Sequence, residues 1–392
     1  MAQCLACNSA LDEEGCFCPY CGAQQTAAAA EPERRLRRAR RIDAGSVLEL
    51  GWGRAVVGAA IGEGGMGVVR RAWLFYDPGG PRSGTPAHPA AVKVLHPVLL
   101  GRDRARQLFV REAAALGRLS HPNVVHFFGL AEHETQLAIV MELVEGQPLS
   151  QIIQRHATRE RSPGVPVLPF GRSWHYFSQL LGALAATHVL GILHRDVKSG
   201  NVLVRTDGVV KLTDYGIARI PAQDPRATGG TAPGTGAYMA PEQVRGLDLD
   251  ARADLYAAGI VLYEMLTGVT PFDAPFRDEI EVRTAQLEET PLPISQRIAS
   301  APPVLDRLMA RALAKDKMHR YASALELGDA FREALGLGAS AGWNAQRGLA
   351  ENAHAISQGI PVSAVEGGTR PMPMAEAEAL RSRVVDAYRA ST

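Results

Sequence analysis

The chain has 392 residues, which at roughly 150 residues per domain allows two or three domains. Its 42 basic and 41 acidic side chains leave a net charge of +1, so no global field would attract nucleic acid or an anionic membrane. Because 46% of the residues are hydrophobic, the chain can bury a large core, which excludes a mostly disordered protein.

Neither a membrane span nor a secretory signal is apparent in the sequence. No apolar stretch reaches the ~18 residues that a bilayer-crossing helix needs. The longest weakly polar run, Leu180 to Leu193, is broken by Thr187 and His188 and predicts a buried helix followed by a strand. The N-terminus has no basic segment followed by an apolar one. We therefore expect a cytoplasmic protein.

All five cysteines lie within the first 21 residues. Cys4 with Cys7 and Cys18 with Cys21 form two CxxC pairs, and each pair can hold one side of a tetrahedral ion. A segment this short has almost no core, so metal binding would have to supply its folding free energy. The pattern resembles a zinc ribbon and predicts a structural Zn²⁺ site, with Cys16 a spare thiol or an alternative ligand. Redox thiols and a disordered tag are the alternative interpretations.

An alanine run and six arginines follow the cysteines, in residues 23–45. The arginines, Arg34 to Arg41, could bind nucleic acid or phospholipid, but no aromatic residue for base stacking lies among them. We interpret this region as a solvated linker or helix and do not expect a nucleic-acid partner.

The next segments predict strands and then helices. Apolar runs at Ala55–Ile61, Val68–Phe75 and Ala90–Leu95 indicate three strands, and Tyr76–Pro89, with four Pro and three Gly, indicates a surface insertion. Helical spacing follows at Gln107–Leu119 and later at Trp174–His188 and Arg252–Leu266. Strands first and helices later are typical of an α+β arrangement with two lobes.

Glycines separate the first two strands, at Gly62, Gly64, Gly65 and Gly67. Glycines let backbone N–H groups close over phosphates. In dinucleotide-binding folds a helix follows such glycines, whereas here another strand follows, so we predict a β-hairpin lid.

Lys93 lies within an apolar strand, where a cation needs a partner or an anionic ligand. Glu112 lies on a helix face from which its carboxylate could reach that lysine.

A strongly polar loop runs from His194 to Asn201 between apolar segments that we take to be strands. Polar groups crowded in this way make a poor core but a good site. Asp196 can accept a hydroxyl proton, Lys198 can neutralise a moving phosphoryl group, and Asn201 offers a hard oxygen to Mg²⁺. Asp214, eighteen residues after Asp196, supplies a second metal-binding carboxylate.

In this order and spacing, the glycine hairpin, Lys93, the His194–Asn201 loop and Asp214–Gly216 resemble the eukaryotic-type protein kinases, most closely the bacterial Ser/Thr protein kinases. The resemblance implies an α+β, bilobal protein kinase fold with a small β-rich N-lobe and a larger helical C-lobe, preceded by the zinc ribbon. We expect four regions: a zinc ribbon at 1–22, an Ala/Arg-rich linker at 23–45, the kinase domain at 46–335, and a flexible tail at 336–392 with a possible terminal helix.

The resemblance also implies the site residues and the cofactors. Asp196 would be the catalytic base with Lys198 assisting, and Asn201 and Asp214 would bind Mg²⁺ (or Mn²⁺). ATP would be bound by a larger set that covers the phosphates, pairs with them or holds the adenine: Ile61, Gly62, Gly64, Gly67, Val69, Ala91, Lys93, Glu112, Met141, Glu142, Val144 and Leu203. Thr235 would orient Asp196 and Lys198, Asp254 would anchor the catalytic loop, and Glu242 would form a buried ion pair with Arg320.

The sequence departs from the family pattern at few positions. Tyr215 stands where Phe is usual and Ser199 where Pro is common, and a second insertion is expected at about Arg155–Phe170. Arg195 beside the base suggests regulation by phosphorylation of Thr228 or Thr231. The resemblance implies a protein Ser/Thr kinase with protein substrates. We expect the zinc ribbon to be an interaction or regulatory module, with a protein as its candidate partner. The rival hypothesis is a catalytically weak scaffold that acts through the ribbon.

Overall fold

The computed structural model describes residues 42–64, 67–76, 88–95, 110, 113, 116–133, 136–158, 164–215, 236–272, 277–338 and 342–349. Several predicted features lie outside these residues: the cysteines, the arginine run, Glu112, Thr228, Thr231, Thr235 and the terminal stretch after Met374. The chain divides into two compact units. The first comprises residues 1–63, 67–101 and 130–139, and the second comprises residues 64–66, 102–129 and 140–392.

One six-stranded sheet, in the order β1-β2-β3-β4-β6-β5, dominates the first unit. Adjacent strands β1 and β2 and adjacent strands β3 and β4 are antiparallel. Burial alternates along β1, as expected for a sheet with one covered face. The strands are β1 (Val47–Leu50), β2 (Gly53–Gly64), β3 (Gly67–Tyr76), β4 (His88–Leu95), β5 (Phe127–His133) and β6 (Gln136–Glu142).

The three strands predicted at the start of this unit are confirmed as β2, β3 and β4. Buried Ala55, Ala72 and Leu74 form part of the core under the sheet. Just before β1, the backbone N–H of Ile42 donates to Gln136 Oε1 at 2.6 Å, which ties the start of the described chain to β6.

The second unit is mainly helical, with a small antiparallel sheet in the order β7-β8-β9. Its strands are β7 (Gly146–Pro148), β8 (Val202–Arg205) and β9 (Val210–Leu212). Its helices are α1 (Leu149–Ala157), α2 (Phe170–Val189), α3 (Pro241–Val244), α4 (Ala251–Thr267), α5 (Glu279–Glu288), α6 (Ile294–Arg297), α7 (Val304–Ala312), α8 (Ala324–Ala334) and α9 (342–349).

Helix α4 is the centre of the second core. Every residue from Ala253 to Tyr263 is buried, which is typical of a helix that is covered on all sides. The Asp250 side chain caps its first turn by accepting from the Arg252 N–H, and Gly268 ends it with a φ of 83°, a left-handed value that favours glycine. No helix among the described residues combines the length and apolarity that a membrane crossing needs.

Two predictions about secondary structure need correction. The apolar segment before His194 is not a strand, because α2 ends at Val189 and residues 192–194 have no regular structure. The insertion predicted from Arg155 starts too early, since α1 continues to Ala157.

The segment after residue 336 also differs from the expected flexible tail. Residues 342–349 form helix α9, and its Trp343 is buried against Trp174 of α2 with 5.4 Å between ring centroids. The four-region division of the chain stays a prediction.

Candidate active site

The hairpin of β8 and β9 positions two predicted metal ligands. Asn201 lies directly before β8, and Asp214 follows β9 by two residues. The strands pair antiparallel, with Val202 opposite Leu212, and the Thr213 N–H donates to the Asn201 carbonyl at 3.0 Å. The hairpin therefore brings the backbone at Asn201 next to the residue that precedes Asp214.

Asp196, Lys198 and Asn201 form one hydrogen-bonded group in the loop before β8. Lys198 Nζ lies 3.1 Å from Asp196 Oδ2. Asn201 Nδ2 donates to the Asp196 carbonyl at 2.8 Å and to its Oδ2 at 3.1 Å. The sequence prediction that these three residues act together is consistent with this geometry, and the carboxylate is oriented by two donors.

The donor set suits a hard divalent cation. Asn201 uses Nδ2 to hold Asp196, so its amide oxygen Oδ1 takes no part in those two hydrogen bonds. Asp214 has a φ of 56°, a left-handed value that is uncommon for a residue with a side chain. Carboxylate and amide oxygens are the ligands that Mg²⁺ takes from proteins, so Asn201 and Asp214 fit such an ion.

Arg195 carries a second strained backbone, with a φ of 65°. The N–H groups of His194 and Arg195 both donate to the Asp254 carboxylate at 2.8 Å, and Gln243 Nε2 donates to the Arg195 carbonyl at 3.0 Å. Strain of this kind persists where the surroundings over-determine it, often at functional sites. The predicted anchoring of the loop by Asp254 is confirmed.

The Asp254 carboxylate is buried, and burial by itself opposes its ionisation. Hydrogen bonds from the His188 side chain and the His194 N–H, with the charges nearby, nevertheless hold the pKa of Asp254 below its usual value. An ionised Asp254 can accept all three hydrogen bonds at once, so the anchor is a charged one.

His194 connects the Asp196 loop to the Asp214 segment. Its Nδ1 accepts the Asp196 N–H at 3.3 Å and its Nε2 lies 3.0 Å from the Thr213 carbonyl. Burial lowers the pKa of His194, so the ring is neutral and Nε2 carries the proton that it donates. The ring also packs on Tyr215, with 4.4 Å between centroids.

A partly buried acid that the sequence analysis missed lies beneath this loop. Glu264 of α4 accepts from Ser199 Oγ at 3.0 Å and from Tyr238 Oη at 2.7 Å. Burial raises the pKa of Glu264, and the two hydroxyl hydrogen bonds oppose that rise. The available signal was a single carboxylate inside an otherwise apolar stretch of α4.

The predicted pair of Glu242 and Arg320 is present. Arg320 Nη1 and Nη2 donate to the two carboxylate oxygens at 2.7 and 2.8 Å, a bidentate geometry. The side chain of Arg320 is fully buried and also donates to three backbone carbonyls. This pair fixes α3 against the segment before α8.

The predicted nucleotide-binding residues of the first unit lie on β2, β3 and β4. Val69 and Lys93 are paired directly across β3 and β4, so their side chains share a face of the sheet. Ala91 is buried, whereas Ile61 is half exposed. A Cβ at Gly67 would overlap the Val94 carbonyl, so this glycine is also required by strand packing.

In the second unit, the predicted adenine-binding segment begins where β6 ends. The Glu142 N–H donates to the His126 carbonyl at 2.8 Å, so the backbone group that Glu142 can offer a base is its carbonyl. The Glu142 side chain accepts from Lys211 Nζ at 2.8 Å. Met141, Val144 and Leu203 are partly buried.

The sequence of residues 56–330 matches the family model of the protein kinase domain. The chain belongs to the protein kinase family. Its sequence is 37% identical over 290 residues to the Ser/Thr-protein kinase PksC of Streptomyces coelicolor, covering 71% of this chain and 49% of that protein. It is 40% identical over 281 residues to the Ser/Thr-protein kinase pkn3 of Myxococcus xanthus, covering 68% and 47%.

Solved structures agree with the fold. The crystal structure of the Mycobacterium tuberculosis PknI kinase domain is 28% identical, has a TM-score of 0.55, and covers 75% of this chain and 100% of that one. The predicted kinase fold, with a β-rich N-lobe and a helical C-lobe, is therefore confirmed. The chain spans about half the length of the curated relatives described above.

Some of the predicted site residues lie outside the part of the chain that the structure describes. Glu112 and Thr235 lie outside the described residues, as do Cys4, Cys7, Cys18 and Cys21. Within the part of the chain that the structure describes, no group of three or more His, Cys, Asp or Glu side chains could hold a metal ion.

Proposed function

We propose that this protein is a Ser/Thr protein kinase that transfers the γ-phosphoryl group of ATP to Ser/Thr hydroxyls of protein substrates. The observation that carries the proposal is the group formed by Asp196, Lys198 and Asn201, in which an ammonium lies 3.1 Å from an oriented carboxylate. Ser/Thr-protein kinases among the relatives support the choice of acceptor.

In this proposal, Asp196 accepts the proton of the substrate hydroxyl and Lys198 neutralises charge on the transferred group. Asn201 and Asp214 hold Mg²⁺ (or Mn²⁺), which when bound would neutralise phosphate charge. Hydrogen bonds from the loop to Asp254, and from Asn201 to Asp196, hold the loop in place before ATP binds, so little reorganisation is needed during the reaction.

The remaining predicted residues bind ATP in this proposal. They comprise the glycines of the β2–β3 hairpin, the cation on β4 with its acidic partner, and the residues that contact the purine: Gly62, Gly64, Gly67, Lys93, Glu112, Ile61, Val69, Ala91, Met141, Glu142, Val144 and Leu203. The pairing of Val69 with Lys93 across β3 and β4 supports it, because this register places an apolar group beside the cation.

The test is phosphorylation of a protein substrate with γ-labelled ATP and Mg²⁺. Asp196→Asn removes the proton acceptor but keeps the shape, so we expect the rate to fall on the order of 10²- to 10⁴-fold. Asp207→Asn is the matched control, because Asp207 is an exposed acid of the same unit that pairs with Arg205.

Equal labelling by the wild type and Asp196→Asn would contradict the assignment of Asp196. No labelling by either would favour the rival scaffold function.

We also propose that phosphorylation of Thr228 or Thr231 regulates the kinase through Arg195. Among the described residues, Arg195 Nε is buried and has no hydrogen-bond partner, so it is a donor that a phosphate beside it would satisfy. Changing both threonines to Ala should lower activity. Unchanged activity of the double variant would exclude this mechanism.

For residues 1–22, we propose a zinc ribbon in which Cys4, Cys7, Cys18 and Cys21 bind one structural Zn²⁺. Thiolate pairs at this spacing support it, and they need a reducing compartment, so we place the protein in the cytoplasm. The ribbon would bind a protein partner, residues 23–45 would link it to the kinase domain at 46–335, and the tail would begin at 336.

Zinc content of the purified full chain tests the ribbon. We expect about one ion per chain, as the two cysteine pairs together supply four ligands. Cys4→Ser combined with Cys18→Ser should lose the ion, while Cys16→Ser should retain it. Zinc-free wild-type protein purified without chelator would contradict the proposal.

A further inference from the structure

Helix α9 packs on the second unit beyond the end of the kinase-family match at residue 330. Buried Trp343 is its anchor: the indole packs against Trp174 and donates from Nε1 to Asp329 Oδ1 at 2.9 Å. Arg347 Nη1 adds an ion pair to Asp329 at 2.6 Å. These contacts fix the helix against α2 and α8.

Two glycines make room for α9. A Cβ at Gly328 of α8 would overlap the Trp343 ring, and one at Gly182 of α2 would overlap the Gln346 side chain. Glycine in a helix interior is unfavourable by itself, so both positions are better explained by the close approach of α9. The surface that receives α9 is therefore encoded in the kinase domain.

From this position, Gln346 reaches a buried hub at Asn123. Gln346 Nε2 donates to Asn123 Oδ1 at 2.7 Å. Asn123 Nδ2 in turn donates to Gln179 Oε1 and to the Val210 carbonyl, both at 2.8 Å. With Gln346 present, both Nδ2 protons and the oxygen of this buried amide are engaged.

The hub lies directly against the strand that leads to Asp214. The Leu212 N–H donates to the Asn123 carbonyl at 2.8 Å, and the Val125 N–H donates to the Leu212 carbonyl at 3.0 Å. Val124 and Leu212 form a parallel bridge. Residues 123–125 therefore hold β9 from one side, two residues before the strained backbone of Asp214.

We propose that helix α9 supports the active site. Gln346 is a positioning residue that fixes the position of Asp214 through its hydrogen bond to Asn123 and the contacts of Asn123 with β9. The proposal rests on the proposed kinase function. It predicts that loss of the Gln346–Asn123 hydrogen bond lowers phosphoryl transfer even where the protein stays folded, because an unsatisfied amide loosens the 123–125 segment.

His121 provides a reporter of α9 that does not depend on activity. Burial lowers the pKa of His121 to about 4, the neighbouring Gln346 side chain opposes the shift, and the Lys211 cation adds to it. Replacing the Gln346 amide by a carboxylate should therefore raise the pKa of His121, because an acid beside the imidazole favours its protonated form.

The experiment compares Gln346→Leu, Gln346→Glu and the control Asn344→Ala in the full chain. Asn344 is an exposed amide of the same helix. For each variant, kcat and KM for ATP and for a protein substrate are measured, together with thermal unfolding and the NMR titration of His121.

We expect both Gln346 variants to lower kcat roughly three- to tenfold at temperatures where they are fully folded, with KM for the protein substrate unchanged. Only Gln346→Glu should raise the pKa of His121, and Asn344→Ala should change nothing. A fall in unfolding temperature with unchanged kcat would overturn the proposal, since Gln346 would then only stabilise the fold. An unchanged His121 titration in Gln346→Glu would overturn the placement of Gln346.

The same assay separates this proposal from the proposed function. A wild type without phosphoryl transfer would overturn the kinase function and with it the positioning role. An active wild type together with fully active Gln346 variants would overturn the positioning role alone.

Discussion

Tyr215, which follows the metal-ligand candidate Asp214, has a buried hydroxyl that needs a partner. Its Oη lies 3.0 Å from Thr187 Oγ1, and Thr187 Oγ1 in turn donates to the Ala183 carbonyl at 2.7 Å. Burial raises the pKa of Tyr215 well above its usual value, so the hydroxyl stays neutral. We expected little change from Tyr in place of Phe at this position. The sequence does not reveal that Thr187 of α2 is the partner of the hydroxyl.

The asymmetry of this pair gives a prediction. Tyr215→Phe leaves Thr187 bonded to Ala183, so the free energy of unfolding should fall by only about 1 kcal/mol. Thr187→Val strands the Tyr215 hydroxyl in the core and should cost more, about 1–3 kcal/mol. Denaturant unfolding of both single variants and the double variant measures the difference. If Tyr215→Phe costs more than Thr187→Val, the hydroxyl has another partner.

The candidate catalytic residues could be predicted, because phosphoryl transfer requires particular residue types in a particular order. Asp196, Lys198 and Asn201 were predicted from the sequence, and the structure brings them together. Glu264 was missed, because a single acid on a helix does not reveal that two hydroxyls, one of them 26 residues away, will meet it.

At the scale of elements, the buried pair of Glu242 and Arg320 joins α3 to the segment before α8. Glu242→Gln leaves the fully buried Arg320 without its counter-charge, so we expect a loss of about 3–5 kcal/mol in the free energy of unfolding. The exposed pair of Asp207 and Arg205 is the comparison, and Asp207→Asn should cost no more than about 1 kcal/mol. Similar losses in denaturant titrations of both variants would contradict the role of burial.

Strands and helices with a clear apolar periodicity were predicted correctly. Segments whose conformation depends on residues far away in the sequence were not. The segment before His194 is apolar but forms no strand, because the N–H groups of Gly191 and Ile192 bond to carbonyls at the end of α2 instead of a neighbouring strand. Helix α9 was missed because it has few apolar residues. Its position depends on space left by Gly328 and by Gly182, of which Gly182 is far away in the sequence.

For the whole molecule, His121 predicts how stability depends on pH. Its pKa is about 4 in the folded chain because the ring is buried, and 6.5 is the ordinary value. The unfolded chain therefore binds more protons between these values, so stability is full above pH 6.5 and falls as the pH drops towards 4. Shifts of this size correspond to about 3 kcal/mol.

His121→Asn should remove that part of the dependence while keeping an acceptor for the Asn123 N–H that His121 Nδ1 now accepts. Denaturant titrations at several pH values between 4 and 7 measure the slope. A variant with the same slope as the wild type would show that other groups cause the acid sensitivity.

The proposed function requires this chain to transfer a phosphoryl group from ATP to a protein hydroxyl. The most direct measurement counts ADP formed against phosphoserine and phosphothreonine formed, with Asp214→Asn beside the wild type. We predict one phosphorylated hydroxyl per ADP for the wild type and neither product for the variant. ADP without phosphorylated protein, or equal yields from both chains, would contradict the account.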